Sequence, residues 1–303
     1  MSDYAICTQN LSKCYGRKRA LNNLTLEIPR GGIHAIVGSN GAGKSTLFRL
    51  LLGLARPTSG RSQILGRDSG ALTPELRGRI GFVNEEHTLP EWMKVKAVKA
   101  MQQRLYPQWR EGVYREVLGN FDVHPDQRVG ELSRGERAGF NLSLALAQNP
   151  ELLILDEPTL GLDVIAKRAF LEALMFIGAE QGGTIIYCSH QMEEIERVAD
   201  NLLIMERGQL RAMSPPDEFR ARVGYWIVDL PGNRPANDEI PGLLQARRID
   251  DQYHLMVIDA GEPLQQFLRE RGARVHSRQP VSLDQAIIGY LAKNHRAPAR
   301  NQH

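Results

Sequence analysis

The run Gly38, Ser39, Asn40, Gly41, Ala42, Gly43, Lys44, Ser45 and Thr46 matches the phosphate-loop pattern G-x-x-x-x-G-K-[ST] in full. Its three glycines permit backbone conformations that other residues resist, so successive N–H groups can converge on phosphates. Lys44 would reach the β and γ phosphates of a nucleoside triphosphate, and Ser45 offers a hydroxyl to a magnesium ion. The helix that begins here points the positive end of its dipole at the bound anion. A second cluster follows four apolar residues at 152–155, where the chain empties into Asp156 and Glu157. In an open α/β sheet, ligands bind at that end of the strands. Asp156 suits magnesium held through water, and Glu157 suits a water to be oriented or deprotonated. Alone, such a pair would read as two solvated acids; a phosphate loop in the same chain gives it a task. His190 ends the β-branched run 184–187 after Cys188-Ser189, at the same edge of the sheet. Most lone histidines are structural, but one placed beside two carboxylates could contact a γ-phosphate or the water.

The elements that must hold these groups are legible around them. Ile33, Ala35, Ile36 and Val37 form a short apolar run after Gly31-Gly32, as a buried strand should, and Leu47, Leu50, Leu51 and Leu54 recur at helical spacing. Further strands are expected at 4–8, 21–28, 62–65 and 80–83, with a turn at 57–60. Between the first two lies Tyr15, before a glycine turn, where its ring could stack on a base or pack in a small antiparallel sheet. From 91 to 148 the pattern turns helical, with apolar faces at Val95, Val98, Met101 and Leu105, at Trp109, Val113, Val117 and Phe121, and at Leu142, Ala145 and Leu146. Helices at 164–177 and 191–199, a hairpin at 202–212 and a short helix at 217–223 complete a first domain, 1–222. Beyond it, strands at 225–229, 246–249, 253–258 and 273–276 and helices at 263–271 and 283–292 predict a small α/β domain, 223–303. A mobile Pro-Gly-rich loop at 231–242 and a mobile polar tail from 293 are expected within it. No chemistry is legible there.

Composition excludes several classes. The 303 residues are 42% hydrophobic and 24% charged with mean hydropathy −0.34, which describes an ordinary globular chain. A net charge of +3 does not indicate a nucleic-acid binder. Cys7, Cys14 and Cys188 cannot all pair and lack metal-ligand spacing, which suggests a reducing compartment. The N-terminus lacks a signal-peptide pattern, and no apolar run reaches the roughly 18 residues of a membrane span. Any action at a membrane is therefore expected to pass through a partner.

In their order these motifs resemble the nucleotide-binding domain of ATP-binding cassette (ABC) transporters, over roughly residues 3–222. The resemblance implies a P-loop α/β fold with a mainly parallel core sheet, an antiparallel β subdomain and a helical subdomain. It implies that Tyr15 stacks on adenine, that Gly38–Thr46 holds ATP, and that Asp156 and Ser45 serve Mg2+. Glu157 is then the catalytic carboxylate, His190 the switch histidine, and Asp163 the end of the D-loop at 160–163. Leu132-Ser133-Arg134-Gly135-Glu136 occupies the place of the family's Leu-Ser-Gly-Gly-Gln signature, which in one subunit covers the γ-phosphate held by the other. Ser133 and Gly135 are kept, whereas Arg134 and Glu136 depart from the pattern. Locally, Ser-x-x-Glu is also a capping box, so an ordinary helix start is the alternative. Glu85 stands where the family has a metal- or water-contacting glutamine; a carboxylate is a hard ligand for magnesium, though a solvated acidic loop would look the same.

The implied protein is a Mg-dependent ATPase that dimerises around two ATP molecules, with itself or a homologue, and drives a separate integral membrane permease from the cytoplasmic face. The helical block would receive the permease's coupling helix, with Trp92, Tyr106 and Trp109 as groove candidates. Short strings at 80–85 and 105–109 resemble cassettes of exporter-type systems, so export is the expected direction. Two other readings stand beside it: a cassette acting away from transport, and a regulator that binds ATP but hardly hydrolyses it, suggested by Arg134 and Glu136. No nucleic-acid partner is expected.

Overall fold

The computed structural model describes residues 3–231 and 235–296, so part of the 231–242 loop and the end of the polar tail lie outside the described residues. The chain divides into two compact units, Met1–Met213 and Ser214–His303. The first opens with the hairpin β1 (Tyr4–Tyr15) and β2 (Lys18–Pro29), followed by β3 (Ile33–Val37), α1 (Lys44–Leu51), β4 (Ser59–Ile64), β5 (Arg67–Asp68), the one-turn α2 (Pro74–Arg77) and β6 (Ile80–Val83). Three helices intervene, α3 (Val95–Leu105), α4 (Glu111–Leu118) and α5 (Arg134–Ala147). Then come β7 (Leu152–Asp156), α6 (Val164–Gln181), β8 (Thr184–Cys188), α7 (Met192–Val198), β9 (Asn201–Glu206) and β10 (Gln209–Ser214).

Six of these strands form the central sheet, ordered β10-β9-β3-β8-β7-β6. From β9 to β6 neighbouring strands are parallel, with Val83 opposite Leu155, Asp156 opposite Cys188 and Ile36 opposite Cys188. Parallel neighbours with both faces covered need apolar side chains on both faces. That is why β3 and β8 are buried along their whole length and β7 up to Asp156. One face packs on α1 and a four-stranded antiparallel sheet, β2-β1-β4-β5, around Phe48, Leu47 and Ile28. The other packs on α4, α5 and α6 through Val113, Leu142, Phe170 and Leu174. The helical block keeps a small core of its own around Val95, Val98, Tyr114 and Phe140.

The structure extends or moves several sequence-based expectations. β1 and β2 run to the tip of their hairpin, so Tyr15 ends a strand instead of lying in a loop between two short ones. Register shifts between Thr8 and Leu11 let β1 continue past Gln9-Asn10 while pairing with β2 and β4. In α3, Val95 and Val98 are buried but Leu105 is 63% exposed, because the apolar face is covered only along its first two turns.

The second unit contains α8 (Pro216–Ala221), β11 (Val223–Asp229), β12 (Leu243–Ile249), β13 (Gln252–Ile258), α9 (Glu262–Glu270), β14 (Arg274–Pro280) and α10 (Leu283–Arg296). Its sheet is wholly antiparallel, ordered β12-β13-β11-β14. Trp226, Val228, Leu255 and Val257 pack on Leu264 and Leu268 of α9. The division falls before α8 and not after it, since Phe219 of α8 meets Tyr290 of α10 edge to face with ring centroids 5.4 Å apart.

Candidate active site

The parallel register brings the ends of β3, β6, β7 and β8 to one edge of the central sheet, and the chemistry-bearing residues lie there. Gly38 follows β3 directly, Glu85 lies two residues beyond β6, Asp156 ends β7 with Glu157 next, and His190 lies two residues beyond β8. A cleft of about 240 Å³ is lined by the loop residues 40–46, with Glu85, Asp156 and Glu157 opposite, and by Lys18 and Ala20 of β2.

At Gly38 and Gly43 the phosphate loop has no room for a side chain. Gly43, the N-cap of α1, has φ of +104°, and a Cβ there would stand 2.6 Å from the Ala20 carbonyl oxygen. A Cβ on Gly38 would stand 2.3 Å from the Met205 carbonyl oxygen. The loop is closed by Ala42 N–H donating to Ser39 O at 2.9 Å and is tied to the β9–β10 turn by Gly208 N–H donating to Ala42 O at 2.9 Å. Lys44 is largely buried and donates Nζ to Gly38 O at 2.6 Å, so its ammonium lies across the cradle. The donor-rich backbone, the ammonium and the helix N-terminus suit a polyphosphate.

The catalytic candidates pair with each other. His190 Nδ1 donates to Glu157 Oε2 at 2.8 Å. The Glu157 side chain is 16% exposed and that of His190 54%. Glu157 also sits in the left-handed region, φ +52°, which costs a non-glycine residue about 1–2 kcal/mol. Strain of this kind persists only where neighbours over-determine it. Here Glu157 N–H donates to Cys188 O at 2.9 Å, tying β7 to β8 just beyond their last pair. The Cys188 thiol is pushed well up by burial and by the nearby Asp156 carboxylate, so it stays protonated and unreactive. All three cysteines are free.

Asp156, Glu85 and the Ser45 hydroxyl are hard oxygen donors around one cleft, a set that fits magnesium. Among the described residues no group of three or more His, Cys, Asp or Glu could hold a metal. Such a cage is not required, because magnesium in nucleotide sites takes one or two carboxylates and completes its shell from phosphates and water. Tyr15 is 44% exposed at the hairpin tip with Lys13 Nζ 4.9 Å from its ring centroid, and it does not line the cleft.

Ser133 to Glu136 form the capping box read from the sequence: Glu136 N–H donates to Ser133 Oγ at 3.2 Å, and Ser133 N–H donates to Glu136 Oε2 at 2.7 Å. A Cβ on Gly135 would stand 2.9 Å from the Ala166 Cβ, so α5 and α6 meet closely at this point. Arg134 lies against the D-loop, its guanidinium 2.9 Å from where a Cβ of Gly161 would stand. Asp163 caps α6, with Oδ1 accepting from Ile165 and Ala166 N–H at 2.9 Å each. None of these residues lines the cleft of its own chain.

One residue at this edge escaped the sequence reading. His87, 1% exposed, donates Nε2–H to the Pro158 carbonyl at 2.9 Å and so ties the segment after β6 to the residue after Glu157. Burial, only partly offset by that bond, and the charges of Arg134 and Arg137 hold its pKa down at about 4, leaving the ring neutral at pH 7. A lone histidine 71 residues from its partner leaves no local signal.

In the helical block a groove of about 420 Å³ is lined by Val95, Lys99, Tyr114, Leu118, Phe121 and Val123 among others. Trp92, Tyr106 and Trp109 do not line it: Trp92 is 78% exposed, and Trp109 packs on Tyr114 and donates Nε1–H to Glu111 at 3.0 Å.

Fold and cleft together define a P-loop nucleoside triphosphatase of the cassette type. The family model described as ABC transporter matches residues 21–160. A Nod factor export ATP-binding protein I from Rhizobium sp. is 32% identical over 95% of this chain and 97% of its own. A daunorubicin resistance ATP-binding protein from Streptomyces coeruleorubidus is 33% identical over 76% of this chain and 74% of its own. Among solved structures, an ATP-binding subunit of an ABC transporter superposes with a TM-score of 0.64 at 27% identity, covering 72% of this chain and 92% of that one. A dimeric cassette bound to ADP and Pi has the same fold, with a TM-score of 0.61 at 24% identity over 69% of this chain and 98% of that one. The chain belongs to the ABC transporter ATP-binding proteins, an ATP-binding and ATP-hydrolysing subunit of a transporter. The relatives do not favour the non-transport and regulatory readings.

Proposed function

We propose that this chain is the magnesium-dependent ATPase of an export system, acting at the cytoplasmic face of the membrane on a separate permease. The observation that carries the reading is the convergence of the phosphate loop, Asp156, Glu157 and His190 on one sheet edge, with Glu157 and His190 bonded at 2.8 Å. In this reading the loop amides and Lys44 hold the ATP phosphates, with the helix N-terminus behind them. Ser45, Asp156 and Glu85 would hold Mg2+, which supplies charge neutralisation on the β and γ phosphates when bound. Glu157 accepts a proton from, or orients, the attacking water, and His190 fixes the carboxylate through Nδ1–H. Tyr15, exposed at its hairpin tip, is assigned to the adenine face.

Two cassettes, this chain with a second copy or with a homologue, close head to tail over two ATP molecules. That Ser133, Arg134, Gly135 and Glu136 stand outside their own chain's cleft supports a role in trans, with the capped N-terminus of α5 facing the partner's γ-phosphate. Asp163 belongs to the same dimer face. The apolar groove between α3 and α4, flanked by Lys99 and Glu111, suits an amphipathic segment of the permease. Export is inferred from the relatives, whose names include Nod factor export and daunorubicin resistance. The second unit is assigned residues 214–303 as an accessory domain.

The test is ATP turnover of the full chain across protein concentration, with magnesium and with EDTA, for wild type and Glu157→Gln, each sized in the presence of ATP. Turnover that rises with concentration, stops in EDTA and is lost in a Glu157→Gln protein that accumulates as an ATP-held dimer is the expected result. ATP binding without turnover or dimerisation would show that the isolated chain is not a homodimeric motor and would turn the search to a heterologous partner.

A further inference from the structure

Behind the cleft lies a carboxylate that touches neither the loop nor the metal donors. Glu194, in the first turn of α7, is 3% exposed, and an ionised group so placed is tolerated only if it is paired and hydrogen-bonded. It is. Oε2 accepts from Tyr187 Oη at 2.7 Å and from Ser189 Oγ at 2.8 Å. The Thr159 hydroxyl lies 2.9 Å from both oxygens, and Lys167 Nζ approaches Oε1 at 3.2 Å. Burial and the Glu194 charge push the Tyr187 phenol well above its usual range, so Tyr187 remains a donor.

These four donors come from separate parts of the site. Thr159 is two residues beyond Glu157, Ser189 immediately precedes His190, Tyr187 belongs to β8, and Lys167 lies in the first turns of α6, four residues after Asp163. Lys167 Nζ also donates to Gln191 Oε1, the residue after His190. One buried carboxylate therefore ties the segment that follows Glu157 to the segment that carries His190. Glu157 needs such support, since its left-handed backbone is unfavourable in isolation and the Pro158-Thr159 step that follows is held by His87 on its carbonyl and by Glu194 on its hydroxyl.

We infer that Glu194 is a positioning residue for ATP hydrolysis, holding Glu157 and His190 at their bonded separation and linking both to the D-loop helix through Lys167. The inference rests on the roles proposed above for Glu157 and His190. An apolar side chain of similar volume would fill the same space without charge; what it would not do is fix three hydroxyls and an ammonium in one geometry. The consequence is specific. Loss of Glu194 should spare ATP binding, which depends on the loop at 38–46, and should lower the chemical step, which depends on the carboxylate.

The test uses the full chain with magnesium and ATP, comparing wild type, Glu194→Ala, Glu194→Gln, Thr159→Val and, as a control, Glu157→Gln. Misplacing a reacting group by an ångström can cost about a hundredfold. In Glu194→Ala kcat is accordingly expected to fall by roughly ten- to a hundredfold while KM and ATP affinity stay within about threefold. Glu194→Gln, which keeps the shape and an acceptor, should recover kcat to within about fivefold of wild type, and the near-isosteric Thr159→Val should reproduce part of the loss. Thermal melting identifies variants that fail to fold; should Glu194→Ala be one, Thr159→Val and Glu194→Gln still carry the kcat-against-KM comparison. Wild-type kcat in a folded Glu194→Ala, or equal loss of kcat and ATP affinity, overturns the assignment. Wild-type turnover in Glu157→Gln overturns instead the reading on which it rests.

Discussion

The four strands β6, β7, β8 and β3 run in one direction, so their C-terminal ends, each followed by a loop, lie side by side. In the second unit each strand is antiparallel to its neighbours, so the C-terminal ends of β11 and β12 lie at one edge of that sheet and those of β13 and β14 at the other. Both sheets bury an apolar face, yet only the first concentrates polar groups at one edge. In the second unit charged residues close the fold on itself: Arg222 clasps Asp259 through two bonds of 2.8 Å, and His276 meets Asp229. One of its cavities, of about 360 Å³, is lined in part by a tyrosine–histidine pair, Tyr225 and His254, already bonded at 2.9 Å. Strand direction, more than composition, decides where a chain of this kind can do chemistry.

Four substitutions or conditions would break or sharpen that contrast. Glu157→Gln should lower turnover by roughly a hundred- to a thousandfold while leaving ATP affinity near wild type, as loss of a general base or water-orienting group does; steady-state kinetics beside equilibrium ATP binding check it. Leu255→Ala, in the core of the second unit, should destabilise that unit by about 3 kcal/mol yet change turnover less than about twofold at 25 °C. Calorimetry with a parallel ATPase assay measures both, and a collapse of turnover in a folded protein would show that the antiparallel unit does contribute to chemistry. Gly43→Ala forces a Cβ onto the Ala20 carbonyl at positive φ and should weaken ATP binding about tenfold, read by titration calorimetry.

The smallest effect concerns the helical block. Burial opposes ionisation of Glu111, but hydrogen bonds from Lys99, Trp109 and Arg115 and the charge of Lys99 outweigh it and hold the carboxyl down at about 2. A carboxyl depressed in the folded state stabilises above its unfolded value, 4.5, and that stability is lost as pH falls from there toward 2. With a third of the side chain exposed, the contribution is about 1–2 kcal/mol after screening. Acid unfolding of wild type and Glu111→Gln followed between pH 5 and 2, an interval of roughly the size linkage requires, should show a smaller loss of stability in the variant.

The phosphate loop, the strand before it and the helix after it were legible because they are contiguous, and their types and spacings are the physical requirement itself. The same holds for the capping box at Ser133 and Glu136, whose two bonds span three residues. Tyr15 stands before its glycine turn as read, but the strand that carries it is longer than the pattern at 4–8, because the length of β1 depends on a bulge and two partner strands, which no local pattern announces. Leu105 kept its place in a helical stripe but not in the core, since nothing in periodicity says how far along a helix its cover extends. His87 and Glu194 were not legible at all, because their partners lie 71 residues away for the one and up to 35 for the other.

By itself, then, the amino-acid sequence determined the cassette family, the nucleotide loop and the identities of the acids and histidine, because each is written within a few residues and follows from propensity, period and charge. Only the tertiary structure decided that β7 lies between β6 and β8, that His190 donates to Glu157, and that Glu194 gathers the segments behind both. Neighbours in a parallel sheet are joined by long crossovers, so which strand ends become adjacent is settled by packing of the whole core and not by any stretch of chain.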